Sequence, residues 1–232
     1  MIDYISIECL KNKEILEEIY KNKNKNYYYS DDFSNEFYVK AAYEGFISIS
    51  YEEKENFVIL PEIQFDYAVL YFENLHIPKK VKKLLKENEF EFKINKNYEE
   101  VIEQIAKIHK DSWIIKKYKQ TLLNLKEYKS EIDFKIFTSE VYSKDKELVA
   151  GEIGYKIGAT YTSLSGFCKK DKSFNNYGKL QLVLLAKYLQ KNGYKFWNLG
   201  HPYMKYKFDL GAEILNREEF LNIWQEARGL NI

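Results

Sequence analysis

The segment FKIFTSEVYSKDKELVAGEIGYKIGATYTSLSGF, residues 134–167, decides the fold of this chain. It contains three runs rich in β-branched and aromatic side chains, separated by turn-forming residues. Such runs predict three consecutive strands that pair as a meander. After them, LQLVLLAKYLQKNG (180–193) predicts a strongly apolar helix that ends at Gly193, and KFWNL (195–199) predicts another strand.

Helical patterns lie on both sides of this meander. NYEEVIEQIAKIH (97–109) carries apolar residues along one face, and IIKKYKQTLLNLKEY (114–128) is a further amphipathic run. REEFLNIWQEA (217–227) predicts a final helix. Strands and helices in this order predict a fold of the α+β or mixed α/β class. In such a fold, helices flank a mixed sheet.

The first 72 residues predict a small N-terminal α/β domain. In DDFSNEFYVKAAYEGF (31–46), Ser34 has the position of a helix N-cap and Gly45 follows the last turn. FISISY (46–51), NFVIL (56–60) and DYAVLYF (66–72) have the alternating or β-branched character of strands. We therefore expect one domain over residues 1–72 and a larger domain over residues 73–232.

The composition indicates a folded protein in a reducing compartment. Hydrophobic residues make up 45% of the chain, which is typical of globular proteins. The two cysteines, Cys9 and Cys168, cannot form a disulfide framework and do not have zinc-type spacing. The N-terminus lacks the pattern of a signal peptide, and no run is long enough to cross a bilayer. We expect a soluble, cytoplasmic protein without a membrane partner.

The charges are balanced overall but unevenly distributed. The net charge is +1, so the whole chain does not have the excess of positive charge typical of nucleic-acid-binding proteins. Almost all cations are lysines, and PKKVKKLLK (78–86) concentrates several of them in one predicted helix. Lysines contact phosphate groups well, although they lack the bidentate fork with which arginine reads bases. A solvated helix face is the structural alternative for this cluster.

Several segments, in this order along the chain, resemble the leucyl/phenylalanyl-tRNA–protein transferase family. They are AAYEGFISISY (41–51), LHIPKKVKKLL (75–85), DSWI (111–114), ELVAGEIGY (147–155), YTSLSGF (161–167), FWNLG (196–200) and LGAEILNREEF (210–220). The resemblance implies an acetyltransferase-like fold for the larger domain. It also implies an enzyme that moves leucine or phenylalanine from tRNA to the N-terminal amine of an acceptor protein or peptide. It implies no metal and no cofactor besides aminoacyl-tRNA, and we expect a monomer.

The resemblance also implies substrate-binding residues. Trp113 corresponds to an aromatic residue near the tRNA end, where a base can stack. The residues expected to contact the tRNA backbone are Lys79, Lys80, Lys82 and Lys83. The residues expected around the donor amino acid and the mouth of the site are Leu164, Phe167, Leu180, Leu184, Trp197 and Tyr206. Without the resemblance, the apolar members of this set would be interpreted as ordinary core residues.

The chain departs from the family at the positions that the resemblance links to catalysis. Leu164 stands where the family has a glutamate, and Asn198 and Gly200 stand where it has an aspartate and a glutamine. Asn198 therefore has the catalytic position but cannot act as a base, whereas the neighbouring His201 can accept a proton near neutral pH.

Two further residues complete the predicted catalytic set. Glu152, like Glu140, lies on an adjacent predicted strand and could hold or polarise His201. Ser165 keeps the hydroxyl that follows the position of the family's glutamate. The predicted catalytic residues are thus Asn198, His201, Glu152 and Ser165.

Two other functions stay open at the level of sequence. Acyl-CoA-dependent acetyltransferases share the expected fold, but their glycine-rich pyrophosphate loop is matched only weakly by SFNNYGKLQ (173–181). A protein that binds tRNA or peptide without catalysis is the second alternative, and Leu164, Asn198 and Gly200 favour it.

Overall fold

A mixed sheet lies at the centre of the computed structural model, which describes residues 2–53, 56–108, 113–114 and 116–232. The strands are β1 (Asp3–Tyr4), β2 (Tyr28–Tyr29), β3 (Ile47–Glu53), β4 (Asn56–Glu62), β5 (Asp66–Leu70), β6 (Phe90–Ile94), β7 (Phe134–Ser143), β8 (Leu148–Ile157), β9 (Thr160–Cys168), β10 (Phe196–Asn198) and β11 (Glu213–Asn216). The helices are α1 (Ile7–Lys11), α2 (Lys13–Lys21), α3 (Asn35–Tyr43), α4 (Lys79–Glu87), α5 (Tyr98–Ile108), α6 (Lys116–Leu125), α7 (Tyr177–Lys191), α8 (Lys205–Asp209) and α9 (Arg217–Ala227).

Within the described residues, the large sheet has the strand order β11-β5-β10-β9-β8-β7-β6. Strands β6 to β9 pair in antiparallel fashion, so the predicted meander is confirmed. Strand β10 runs parallel to β9, and the chain between them passes through α7. Strand β5 is antiparallel to both β10 and β11. The prediction of a mixed sheet with flanking helices is confirmed.

Helices cover the two faces of this sheet with separate apolar clusters. On the first side, which we call the α7 face, α7 packs over side chains such as Tyr161 and Trp197, and α4 packs against α7. On the opposite side, the α5 face, residues such as Ile153 and Tyr155 join a core that includes α3, α5, α6 and α9. No helix in the described ranges combines the length and apolar character that a membrane span requires.

The pairing of β8 with β9 contains a bulge. Gly154 pairs with Ser163 and Ile153 pairs with Ser165, so Leu164 is the extra residue on β9. A bulge changes which side chains point to each face of a strand. By register, Ser163 lies on the face of Glu152, whereas Ser165 lies opposite Ile153, whose side chain belongs to the α5 face.

Strands β9 and β10 separate soon after they meet. Their ladder joins Phe196–Asn198 to Thr160–Thr162 and ends there. The chain then continues along β5, because Leu199 N donates to the carbonyl oxygen of Ala68 and Ala68 N donates to that of Gly200. We call the space between β9 residues 163–168 and the chain at 199–201 the strand gap. Helix α8 follows this segment and contributes side chains to the gap.

The N-terminal part of the chain shares a core with the large sheet. Strand β5, which lies inside the predicted 1–72 segment, is an internal strand of that sheet. Arg217, the first residue of α9, donates to backbone carbonyl oxygens of both the N-terminal helical segment and the chain just before β5. The division at residue 72 stays a prediction, and we propose that the sheet unit begins with β5.

Candidate active site

A buried carboxylate lies at the point where the strand gap opens on the α7 face. Glu152 on β8 is 4% exposed. Its Oε1 accepts hydrogen bonds from the hydroxyls of Ser163, at 2.6 Å, and Tyr161, at 3.2 Å. Trp197 Nε1 donates to the same Ser163 Oγ at 2.7 Å. A chain of hydrogen bonds therefore connects β10, β9 and the carboxylate on β8.

A buried lysine from α8 contacts the chain on the other side of the strand gap. Lys207 is 5% exposed, and its Nζ donates to the carbonyl oxygens of Leu199, at 2.5 Å, and His201, at 2.6 Å. The ammonium group thus satisfies carbonyls where β10 has left its partner β9. The charges of Lys207 and Glu152 also attract each other.

Burial shifts the titration of both groups toward neutral pH. Loss of hydration raises the pKa of Glu152 to about 7, although its hydrogen bonds and Lys207 oppose that rise. Loss of hydration lowers the pKa of Lys207 to about 8, against the attraction of Glu152. Burial, followed by the charge of Glu152, raises the pKa of Tyr206 to about 12. A carboxyl and an amine that titrate this close to neutrality are suited to proton transfer.

Two further features hold Glu152 in place. Gln181 on α7 donates to Ser139 Oγ at 2.6 Å, and its amide acts to lower the pKa of Glu152. Gly154 lies beneath the Tyr161 side chain, and a Cβ added there would stand 2.3 Å from the Tyr161 hydroxyl. Only glycine at this position lets the ring cross the strand and reach Glu152.

His201 lies in a second polar cluster with a different carboxylate. Its Nε2 is 2.8 Å from Glu62 Oε2, and its ring stacks on Tyr203 with centroids 4.9 Å apart. Glu62 is buried and accepts a further hydrogen bond from Asn26 at 2.7 Å. The sequence suggested Glu152 or Glu140 as a partner for His201, and the structure corrects this, because the contacting carboxylate is Glu62 at the end of β4.

The side chain of Asn198 makes structural hydrogen bonds at the end of β10. It is buried, its Oδ1 accepts from Gly200 N at 2.9 Å, and its Nδ2 donates to Thr162 Oγ1 at 3.4 Å. These contacts shape the turn by which β10 leaves β9.

Gly200 adopts φ +72°, and Gln64 Nε2 lies 3.8 Å from the place where a Cβ added to Gly200 would be. The Gln64 Oε1 atom is buried and has no hydrogen-bond partner among the described residues.

The four predicted catalytic residues therefore do not converge on one point. Glu152 belongs to the α7 face, and Ser165 is registered with Ile153 on the α5 face. Asn198 and His201 make the separate contacts described above. Their catalytic roles stay predictions, and the geometry singles out Glu152 because charged and polar groups from several elements surround it.

The predicted donor-binding residues divide between the two faces of the sheet. Leu180, Leu184 and Trp197 belong to the apolar cluster of the α7 face. Leu164, Phe167 and Trp113 pack with the cluster of the α5 face. Trp113 contacts Tyr118 edge to face, with ring centroids 5.1 Å apart. Asp111 and Ser112, from the same family motif, lie outside the described residues.

The predicted tRNA-binding lysines form an exposed row on α4. Lys79, Lys80, Lys82 and Lys83 all lie at the protein surface. The segment before α4 contacts the end of α8, because His76 N donates to the carbonyl oxygen of Leu210, and His76 Nδ1 lies 3.0 Å from that of Asp209. The chain that leads into α4 therefore lies next to the end of α8.

Sequence reasoning missed several residues of this site. Ser163, Tyr161, Gln181 and Lys207 were not identified from the sequence as groups around Glu152. The available signal was a single carboxylate within the otherwise apolar run LVAGEIGY. Among the described residues, no group of His, Cys, Asp or Glu side chains could hold a metal ion.

Comparisons with known proteins match the part of the chain that contains this site. The sequence model of the family "Leucyl/phenylalanyl-tRNA protein transferase" matches residues 69–225. A leucyl/phenylalanyl-tRNA–protein transferase of Flavobacterium johnsoniae is 31% identical over 159 residues, covering 67% of this chain and 70% of that protein. One of Christiangramia forsetii is 27% identical over 165 residues, covering 66% and 70%.

The solved structures that resemble this chain have lower sequence identity than the two transferases just described. A crystal structure of FemX aligns with 89% of this chain and 76% of its own chain, at 11% identity and a TM-score of 0.49. The family match spans the sheet from within β5 onward, both sides of the strand gap and most of α9. The chain therefore belongs to the leucyl/phenylalanyl-tRNA protein transferase family.

Proposed function

We propose that this chain is an aminoacyl-tRNA-dependent transferase. It moves leucine or phenylalanine from its ester on tRNA to the N-terminal amine of an acceptor protein or peptide. The observation that carries this proposal is the match of the family model to residues 69–225, with relatives named for this activity. The buried acid and base at the strand gap lie within the matched region and supply suitable chemistry.

The reaction exchanges an ester for an amide. The acceptor amine must be neutral to attack the ester carbonyl, and the adenosine hydroxyl must leave with a proton. Holding the two substrates together contributes on the order of 7 kcal/mol in well-oriented cases, so positioning can supply much of the acceleration. The site needs groups that titrate near neutral pH, and Glu152 and Lys207 have this property.

We assign the exposed lysine row of α4 to the tRNA backbone. Lysine ammonium groups contact phosphates without reading sequence, as expected for a protein that accepts a charged tRNA end. The contact of His76 with the end of α8 joins this row to the strand gap. A tRNA bound along α4 would therefore have a continuous protein surface between its backbone contacts and its reactive end.

We assign the donor side chain to the α7 side of the strand gap. Leu180 and Trp197 are fully buried and would form the floor of such a pocket. Leu184 is partly buried, and Tyr206 is 37% exposed, so these two lie nearer its opening. An apolar wall of this kind suits leucine or phenylalanine, whose side chains offer no polar group to bind.

The test is transfer of a labelled amino acid by the purified protein. Leu-tRNA and Phe-tRNA should each be offered with a peptide that begins with lysine or arginine, and with the same peptide acetylated at its N-terminus. We expect labelled peptide only when the amine is free. Absence of product from both charged tRNAs would refute the proposed activity. Acetyl transfer from acetyl-CoA to the free peptide would instead indicate the acyl-CoA-dependent alternative.

A non-catalytic relative would give a third pattern. It would bind charged tRNA, as measured by filter binding at low salt, without forming product. That pattern would show that Asn198 and Gly200 mark a loss of chemistry. Product formation would show that this chain carries out proton transfer without the acidic and amide side chains that the resemblance leads one to expect at these positions.

A further inference from the structure

Glu152 and Lys207 form a buried acid and base that the packing of the sheet does not require. Removing a carboxylate and an ammonium from water is unfavourable, and apolar residues of similar size often replace such pairs without loss of stability. The neighbours of Glu152 on the α7 face include Ala150 and Tyr161, which belong to an apolar cluster. A charged pair kept in such surroundings needs another explanation, and the strand gap offers one.

We propose that Glu152 and Lys207 are the proton-exchanging pair of the transfer reaction, with the Tyr206 side chain at the entrance to them. This inference rests on the proposed function and identifies its acid and base. Glu152 would accept the proton that the acceptor amine loses, and Lys207 would donate a proton to the leaving adenosine oxygen.

The step balances without any other reactant. The neutral amine nitrogen attacks the ester carbon, the new C–N bond forms, and the C–O bond to the adenosine breaks. One proton passes from the amine nitrogen to the Glu152 carboxylate, and one passes from the Lys207 ammonium to the leaving oxygen. Release of a proton from Glu152 to solvent and uptake of one by Lys207 then restore both groups, so the net change is one proton moved from nitrogen to oxygen.

The hydrogen bonds of Lys207 leave it able to donate. An ammonium group has three N–H donors, and the carbonyl oxygens of Leu199 and His201 take two of them. The third donor is available for the carboxylate or a substrate oxygen. These two contacts also fix the ammonium beside the strand gap, so the group is held in place before substrate arrives.

Access to the pair lies on the α8 side. Tyr206 precedes Lys207 on α8, is 37% exposed, and its pKa responds to the charge of Glu152. Tyr206 therefore stands at the protein surface, one residue before the buried ammonium group. The remaining groups around Glu152 are Tyr161 and Ser163 on β9, Trp197 on β10 and Gln181 on α7. None of these four titrates between pH 6 and 9 in an ordinary protein.

Single-turnover transfer measured from pH 5.5 to pH 9 tests this pair. The wild-type rate should rise as Glu152 loses its proton near pH 7 and fall above about pH 8 as Lys207 loses its own. Glu152→Gln keeps the side-chain shape and can accept the same hydrogen bonds, but it cannot take up a proton. We expect a rate at least about 100-fold lower in Glu152→Gln, with no rise centred near pH 7. The acceptor peptide is the same for both proteins, so titration of its amine cancels in the comparison.

Lys207→Arg separates proton transfer from structure. Arginine can keep hydrogen bonds to the carbonyls of Leu199 and His201, but it does not release a proton in this pH range. We expect a loss of about 100-fold or more in the transfer rate, with unchanged tRNA affinity. Glu44→Gln is the matched control, because Glu44 is also a buried carboxylate and pairs with Lys40 and Arg228 away from the gap. It should keep the wild-type rate and pH profile.

The outcomes distinguish this inference from the proposed function. If the wild-type protein forms no product, the proposed function fails and the inference fails with it. If the wild type is active while Glu152→Gln and Lys207→Arg keep its rate and pH profile, only the inference fails. The inference also fails if His201→Gln, rather than Glu152→Gln, removes the rise near pH 7, because the proton would then be accepted in the Glu62 cluster.

Discussion

Glu152 links the chemistry of the strand gap to the stability of the whole protein. Its pKa rises from the ordinary value of 4.5 to about 7 in the folded protein. Between these pH values the folded state binds more protons than the unfolded state. The free energy of unfolding should therefore fall as pH rises through this window, by on the order of 3 kcal/mol from this group.

Urea unfolding at pH 5, 6 and 7 measures this effect. The difference between wild type and Glu152→Gln isolates the contribution of this residue, because all other groups titrate in both proteins. We expect the variant to gain stability relative to wild type as pH rises toward 7. A constant difference across the three pH values would contradict a raised pKa. Lys207 acts in the other direction, since its lowered pKa adds stability only as pH rises above about 8.

The sequence allowed Glu152 to be predicted as a candidate, but not its partners. A carboxylate in an apolar strand is visible in LVAGEIGY. Its neighbour Lys207 comes from another part of the chain, where several lysines and aromatic residues occur together. Only the separation of β9 and β10 brings that lysine inside. Likewise, nothing in the local pattern shows that the carboxylate beside His201 would be Glu62.

At the level of elements, the bulge in β9 explains why the predicted catalytic set divides. Strict alternation would place Ser163 and Ser165 on the same face. The extra residue Leu164 interrupts that alternation, so Ser163 reaches Glu152 and Ser165 pairs with Ile153. A bulge depends on the pairing of two strands, and the periodicity of one strand does not reveal it.

Gly154→Ala tests how the strand supports the site. The added methyl would lie 2.4 Å from the Thr162 carbonyl oxygen and 2.3 Å from the Tyr161 hydroxyl. We expect a loss of roughly 1–3 kcal/mol in the free energy of unfolding, together with loss of the hydrogen bond from Tyr161 to Glu152. Chemical denaturation measures the first effect. Gly229→Ala is the control, because a Cβ there meets no atom within 4 Å. Equal stabilities of the two variants would contradict this close packing.

Charge reversal on α4 tests the assigned tRNA surface. Replacing Lys79, Lys80 and Lys82 by glutamate should weaken tRNA binding by about 10-fold or more at moderate salt and reduce the salt dependence of the affinity. Filter binding across a salt series measures both. The control replaces Lys187, Lys191 and Lys195, three exposed lysines at the end of α7 and just after it, by glutamate, so that both variants change the net charge equally. If both variants lose affinity equally, the effect comes from net charge and not from a specific surface.

Long, regular patterns made most elements predictable. The runs for β5 and α9 lie close to the observed bounds, and Ser34 caps α3 as predicted, since its hydroxyl accepts a hydrogen bond from Phe37 N. Helix α8 and strand β11 were not predicted. Helix α8 has 5 residues, which is less than one and a half turns, and β11 has 4 residues, which is shorter than an average strand. Neither has enough residues for its hydrophobic pattern to show a period. Their conformations depend on contacts with β5 and the strand gap.

At the level of the whole molecule, Arg217 joins the N-terminal segments to the sheet. Its guanidinium group donates to the backbone carbonyl oxygens of Ile19, Asn22, Lys25, Ile63 and Gln64. Five donors with five acceptors use the full capacity of an arginine side chain. This residue begins α9, so one side chain connects α9 with α2 and with the segment that follows α2.

Arg217→Met should therefore be strongly destabilising. It leaves buried carbonyl groups without donors, each of which costs about 1–3 kcal/mol. We expect a decrease of at least about 3 kcal/mol in the free energy of unfolding and faster proteolysis within residues 21–26. Arg217→Lys should lie between wild type and Arg217→Met, because lysine keeps the charge but has fewer donors. Wild-type resistance to protease in both variants would show that other contacts hold these segments.

The position of β5 has a consequence for synthesis of the protein on the ribosome. Its two neighbours in the sheet, β10 and β11, begin at residues 196 and 213, whereas β5 ends at residue 70. The backbone groups on both edges of β5 therefore stay unpaired in the growing chain until β10 and β11 have been made. Pairing segments that are this far apart in sequence is slow. Unpaired edges invite association with other chains. Ribosome-bound intermediates that end before residue 196 should need protection by chaperones, and released fragments of that length should aggregate.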